Sequence, residues 1–91
     1  MKIIVKGTFR RDYLNKPRIV RVALDEKIIQ IEKAKDISQI TGLILLTGFS
    51  HHYRIKVDIQ KKKYRIGAII RSNTIYLIRF QTRKAIYSSF P

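Results

Sequence analysis

Cysteine and tryptophan are absent from this sequence, which has only four glycines and two prolines in 91 residues. Without cysteine there are no disulfide staples and no thiolate metal sites, a composition compatible with a reducing cytoplasm. So little glycine and proline, beside 45% hydrophobic residues, excludes a disordered or low-complexity chain. No wholly apolar run exceeds the four residues of Leu43–Leu46, so no segment reads as a membrane span. The N-terminal MKIIVKGTFRR breaks its short apolar stretch with Lys6 and lacks the apolar region and small-residue cleavage site of a secretory signal. Acidic side chains are also scarce: six face twenty lysines and arginines, for a net charge of +14. An imbalance of that size brings self-repulsion that folding alone does not favour. It points to a polyanionic partner, nucleic acid first and an acidic protein second.

A chain of this length is a single domain, residues 1–91, and buries only about 60% of the surface that its unfolded form exposes. Its charge is unevenly spread. Residues 1–11 carry Lys2, Lys6, Arg10 and Arg11 with no acid. Residues 12–36 hold six bases against five acids, and residues 37–91 hold ten bases against Asp58 alone.

The mixed-charge segment is patterned as an amphipathic helix over 17–35. Val20, Leu24, Ile28 and Ile31 recur at helical spacing, Ile19 and Ala23 widen the stripe, and Pro17 suits a first turn. Before it, residues 3–5 predict a short strand, and Phe9 to Leu14 a short helix ended by Asn15–Pro17. Residues 36–48, DISQITGLILLTG, fit either a helical face through Ile37, Ile40 and Ile44 or an extended run bracketed by Gly42 and Gly48. From Tyr53 the period becomes two: Tyr53, Ile55, Val57 and Ile59 alternate with Arg54, Lys56 and Asp58. Residues 60–63, QKKK, form a hairpin connection to a second strand, where Tyr64, Ile66, Ala68 and Ile70 alternate with Arg65 and Gly67. Arg71–Asn73 turn into TIYLIRF, which is apolar on both faces, as a central or helix-covered strand is. A short tail follows. The fold expected is therefore α+β: an N-terminal strand, two helices, a three-stranded antiparallel meander and a short C-terminal tail.

Alternation puts Arg54 and Lys56 on one face, and Arg65 joins them if the hairpin register allows. Like charges side by side on a sheet are unfavourable until an anion neutralises them, so this face suits phosphate. Lys61, Lys62 and Lys63 extend the same cationic run. The plainer alternative is a solvated face whose lysines guard an edge strand. His51 and His52 stand just before the basic strand, and in extended chain only one of them can face its charged side. There is no glycine-rich phosphate loop and no nucleophile–base motif, and the adjacent acids Asp25 and Glu26 lie in the amphipathic helix and are most simply its solvated charges.

The run Tyr53-Arg54-Ile55-Lys56-Val57, then Tyr64-Arg65-Ile66, then a hydrophobic strand and Arg83-Lys84-Ala85-Ile86-Tyr87, resembles the C-terminal half of the RelE/ParE toxin superfamily. The strand–helix–helix order upstream and the Leu46/Gly48 segment fit the same superfamily, so the resemblance spans nearly the whole chain. It implies a cytoplasmic toxin of a toxin–antitoxin pair that enters the ribosome and cuts mRNA by attack of the RNA's own 2′-hydroxyl, with no metal or cofactor. Such a reaction needs a base for that hydroxyl, positive charge for the developing dianion and an acid for the leaving oxygen. Carried onto this sequence, the resemblance implies Lys56, Arg65, Arg83 and Tyr87 as the catalytic set, with Arg54, Lys61, Lys62 and Lys63 binding RNA and His52 as a possible acid or base. Either Tyr87 or Lys56 could serve as the base.

The sequence departs from the RelE pattern at Gln81, which stands where the ribonucleases carry a further arginine; Arg79 or Arg83 would have to supply that charge. The partners implied are mRNA, the ribosome and a co-encoded, acidic antitoxin, with the free toxin a monomer and the complex a hetero-oligomer. Two other functions fit the same residues: a ParE-like inhibitor of DNA gyrase without nuclease activity, and a non-catalytic RNA- or ribosome-binding module.

Overall fold

The two-residue period that begins at Tyr53 builds the centre of the molecule. In the computed structural model, which describes residues 1–91, it forms strands β3 (His52–Ile59), β4 (Lys62–Arg71) and β5 (Thr74–Thr82) as an antiparallel meander. The short strand β1 (Lys2–Val5) pairs parallel with β5, and β2 (Leu43–Leu45) pairs antiparallel with β3, giving the sheet order β1-β5-β4-β3-β2. Helices α1 (Gly7–Leu14) and α2 (Arg18–Lys33) lie on one face of the sheet, and α3 (Arg83–Ser89) packs on the other. No helix is long and apolar enough to cross a membrane.

The undecided segment splits at its glycines. Asp36 accepts a hydrogen bond from the Ser38 amide and starts a single 3₁₀ turn, Ile37–Gln39. Gly42 and Gly48 take φ of +75° and +83°, which ends any helix there and leaves Leu43–Leu45 as an edge strand. The lysine run is shorter as a turn than the sequence suggests. Only Gln60 and Lys61 lie between paired residues, and Lys62 and Lys63 belong to β4. Ser72 and Asn73, both at positive φ, make the two-residue turn into β5.

The helix-side core joins Phe9, Val20, Leu24 and Ile31 to the inward residues of the meander, among them Ile55, Val57, Tyr64, Ile66, Leu77 and Phe80. Ile28 and Ala23 pack against its rim, whereas Ile19, expected in the apolar stripe, is 55% exposed. It shares helical spacing with Val22 and Ile29, which are exposed as well, and so lies on the side of α2 turned away from the sheet.

A β-bulge explains why TIYLIRF is apolar on both sides. The register slips between Gly67 and Ala68, which face Arg79 and Leu77, so Ile78 is left without an opposite residue. Leu77 and Phe80 thus both reach the helix-side core, while Ile78 packs towards α3 with Leu46, Ile86 and Phe90.

Beyond Val5, β5 has no partner strand on its β1 side, and α1 covers that edge. The Lys6 amide donates to the Leu77 carbonyl, the Thr8 hydroxyl to the Ile78 carbonyl, and the Phe80 amide to Asp12 Oδ2. Asp12 also holds Arg79, whose Nε is 2.7 Å from Oδ2. Burial raises the Asp12 pKa, but the hydrogen bonds from Arg79 and the Phe80 amide, with Gln81 adding to them, outweigh it and keep the carboxyl below the usual aspartate value.

Candidate functional site

Alternation along β3 and β4 sends Arg54, Lys56 and Asp58 to the face opposite the helical core, together with Lys63 and Arg65 of β4. The hairpin register makes Lys56 the direct neighbour of Arg65, and Asp58 that of Lys63. The three cations that the sequence placed on one face only conditionally are therefore together.

What the sequence left as a tail completes the site. Thr82 caps α3, its hydroxyl accepting the Ala85 amide, and the spacing of Arg83 and Tyr87 is one helical turn. Ile86 and Phe90, at the same spacing on the adjacent side, bury against Leu46 and fasten the helix to the sheet. Gly67 makes that contact possible: a Cβ built there would lie 2.5–2.8 Å from carbons of the Phe90 ring. Its backbone is the floor on which the ring sits.

Arg83 and Tyr87 thereby close a groove of about 290 Å³ whose other walls are Arg54, Lys56, Lys63 and Arg65, with Asp58 and Ile44 at its rim. Arg83 Nε donates a 2.7 Å hydrogen bond to the Tyr87 hydroxyl. The Arg54 guanidinium lies over the Tyr87 ring, 4.7 Å from its centroid, and its Nη2 reaches the Phe90 carbonyl at 3.4 Å. Arg54 Nε is buried and has no partner. The hydrogen bond from Arg83 lowers the Tyr87 pKa below the ordinary tyrosine value; slight burial opposes this, and the charges of Arg83, Arg65 and Arg54 add to it.

Arg65 is the most enclosed cation of the group, its side chain 7% exposed. Nη1 donates to the Tyr64 carbonyl at 2.7 Å and to Asp58 Oδ1 at 3.2 Å, so the guanidinium is held in place from both sides. Asp58, the one carboxylate of the groove, stands in the sequence only as an exception to the basic run. It is 56% exposed and serves as the internal counter-ion of the site.

Of the residues singled out in the sequence, Arg54, Lys56, Lys63, Arg65, Arg83 and Tyr87 line this groove, and Lys61, Lys62 and His52 do not. Lys61 and Lys62 stand exposed at the hairpin end. His52 lies between Phe49 and Phe90, its ring tilted to both at centroid distances of 4.7 and 5.8 Å, and so belongs to the packing under α3. Gln81 is the register neighbour of Arg65, yet it stays outside the groove lining. Arg79 cannot supply the missing charge there, because Asp12 holds it at the far edge of β5; Arg83 is the arginine that reaches the groove. Two residues of the site were not legible as such: Asp58 as partner of Arg65, and Gly67 as the seat of Phe90. A lone glycine inside a strand pattern is a general sign of close backbone approach, and that signal was present.

No family model and no curated protein matches the sequence. Among solved structures, it is similar to a chain of the RelB-RelE antitoxin-toxin complex from Methanococcus jannaschii, with a TM-score of 0.75 and 25% sequence identity over 97% of this chain and 99% of that one. It is also similar in fold to a chain of the intact E. coli RelBE toxin-antitoxin complex, with a TM-score of 0.66 and 16% identity over 87% of this chain and 92% of that one. The strand, two helices, mixed sheet and C-terminal helix of this chain are thus those of the RelE-like toxin fold.

Proposed function

We propose that the protein is the toxin of a toxin–antitoxin pair and acts in the cytoplasm as a ribosome-associated endoribonuclease on mRNA. The observation that carries this reading is the single groove in which four arginines and lysines from the sheet meet the Arg83–Tyr87 pair of α3. Its similarity to a chain of an antitoxin-toxin complex supports the first half. A high positive charge gives an acidic antitoxin a surface to neutralise.

In this mechanism Tyr87, as phenolate, removes the proton of the ribose 2′-hydroxyl. The 2′-oxygen attacks the adjacent phosphorus, and the bond from phosphorus to the 5′-oxygen breaks. Lys56 protonates that leaving oxygen, so the products are a 2′,3′-cyclic phosphate and a 5′-hydroxyl end. Arg65, Arg54 and Arg83 stabilise the dianionic phosphorane; an arginine suits this role because its fork of donors spans two oxygens and keeps its charge. Tyr87 is chosen over Lys56 as the base because the groove's cations favour its ionised form.

The test is to add purified protein to ribosomes translating a defined mRNA and to map new 5′ ends by primer extension. Cleavage within the codon at the ribosomal A site is expected, falling about 10²- to 10⁴-fold in Tyr87→Phe and about 10²- to 10³-fold in Arg65→Ala. Intact mRNA with the wild-type protein sinks the nuclease reading. Intact mRNA together with blocked supercoiling by gyrase replaces it with the ParE-like one.

A further inference from the structure

Helix α3 divides its face of the sheet in two, and the groove uses only one half. On the other side a second, shallower concavity is formed by Ile69 and Arg71 of β4, Tyr76 and Ile78 of β5, and Lys6 at the end of β1. Alternation on β1 adds to it. Ile3 packs towards the helix-side core, so Lys2 and Ile4 face the α3 side, where the register sets them beside Thr74 and Tyr76. Tyr76, Ile69 and Ile4 are half-buried, and Lys2, Lys6 and Arg71 are exposed.

The result is an aromatic and aliphatic floor framed by Lys6 and Arg71, with Lys2 on the same face at the β1 edge and no carboxylate in the lining. The acids lie elsewhere: Asp12, Asp25, Glu26 and Glu32 are on α1 and α2, Asp36 follows α2, and Asp58 is in the groove. Protection of the β1 edge accounts for Lys2 and Lys6. It does not account for Arg71 and Tyr76, which come from interior strands of the sheet. A flat aromatic side chain beside unneutralised cations is the arrangement that takes a stacked base and its flanking phosphates. The basic N-terminal segment, to which the groove assigns no role, supplies two of those cations.

We propose that this platform is a second RNA subsite, in which one base of the single-stranded RNA occupying the groove stacks on Tyr76 while Arg71, Lys6 and Lys2 hold the neighbouring phosphates. The inference rests on the reading of the groove as an RNA site. A twelve-nucleotide strand is long enough to visit both: even at the roughly 3.4 Å per nucleotide of a duplex strand it extends about 40 Å, beyond the 32 Å longest dimension of the protein.

Because the chain has no tryptophan, Tyr76→Trp places a single fluorophore on the platform. The probe is a fluorescein-labelled, 2′-O-methyl dodecaribonucleotide, which cannot be cleaved. Addition of the unlabelled dodecamer is expected to quench the tryptophan, and Lys56→Ala in the groove weakens that quenching because one strand spans both sites. Lys6→Gln/Arg71→Gln, a surface double variant, lowers the slope of log affinity against log salt by about 1.4, at about 0.7 per single-strand phosphate contact. Tyr76→Ala weakens binding at least about fivefold, the low end for one base–aromatic stack. Binding seen by anisotropy without quenching, and with an unchanged salt slope in the double variant, overturns the platform and leaves the groove intact. No binding by anisotropy overturns the RNA reading of the groove itself. Quenching by an acidic peptide but not by the dodecamer makes the platform a protein-binding surface and overturns the proposal.

Discussion

Arg83 and Tyr87 face each other across one turn of α3, with Nε donating to the phenolic oxygen at 2.7 Å. In the proposed mechanism the guanidinium and the phenol act as one unit: the charge that would stabilise an incoming phosphate also favours the phenolate. If Tyr87 is the base, the cleavage rate rises with pH through its pKa, and that limb lies below the usual tyrosine range because Arg83 lowers it. Arg83→Gln removes both the charged hydrogen bond and the nearby positive charge, so the limb moves to higher pH. Single-turnover rates on programmed ribosomes from pH 6 upwards measure this; an unmoved limb assigns the base to another group.

Gly67 has no room for a side chain, since Phe90 lies against it. Gly67→Ala pushes the ring away and costs about 1–3 kcal/mol, as overpacking does. α3 is fastened to the sheet chiefly through Ile86 and Phe90, which pack with Leu46, Ile69 and Ile78, so loss of the Phe90 seat should lower cleavage more steeply than stability. Urea denaturation and cleavage assays on the same variant check the two effects, and amide exchange at Ile86 and Tyr87 reports whether the helix has loosened.

Asp58 shares Arg65 with any phosphate that enters the groove. Asp58→Asn removes the repulsion, while the Tyr64 carbonyl still holds Arg65. Binding of an uncleavable RNA is expected to tighten about two- to fivefold, the range of a half-exposed ion pair, and most clearly at low salt. Weaker binding in this variant makes Asp58 a positioning residue for Arg65.

Asp12 is the one acid whose loss should threaten the fold, because it satisfies the Phe80 amide and pairs with Arg79. Asp12→Ala costs about 2–4 kcal/mol, since it strands a buried amide and unpairs an arginine. The folded carboxyl titrates below its unfolded value. Its contribution is therefore complete above the unfolded pKa of about 3.9 and is lost as pH falls through the lower folded pKa. Denaturation curves of wild type and Asp12→Asn should differ at pH 6 and converge as the pH is lowered below 4.

Periodicity made most of this fold legible. The shift from helical spacing in 17–35 to alternation after Tyr53 predicts helix and meander, and it also separates Arg54 and Lys56 from the apolar residues between them. Those features are local, set by the geometry of a helix or a strand and by the need to bury one side of it. The resemblance to RelE/ParE toxins added Arg83 and Tyr87 as expected site residues without saying what would hold them there.

Long-range packing decided the rest. The bulge opposite Gly67 sends Leu77 and Phe80 to one face and Ile78 to the other; a lone glycine in a strand hints at an irregularity but not at which residue of the facing strand is left over. Arg79 and Arg83 look equivalent in sequence, yet Asp12, distant in the chain, binds the first and leaves the second to the groove. His52 stands beside the basic strand in sequence but serves the packing of Phe90. By itself the sequence determined the quantity of positive charge and which strand faces carry it, because both follow from composition and a period of two. Only the tertiary structure determined which of those charges converge, because convergence depends on strand register, on a carboxylate distant in the chain and on a glycine small enough to let α3 dock.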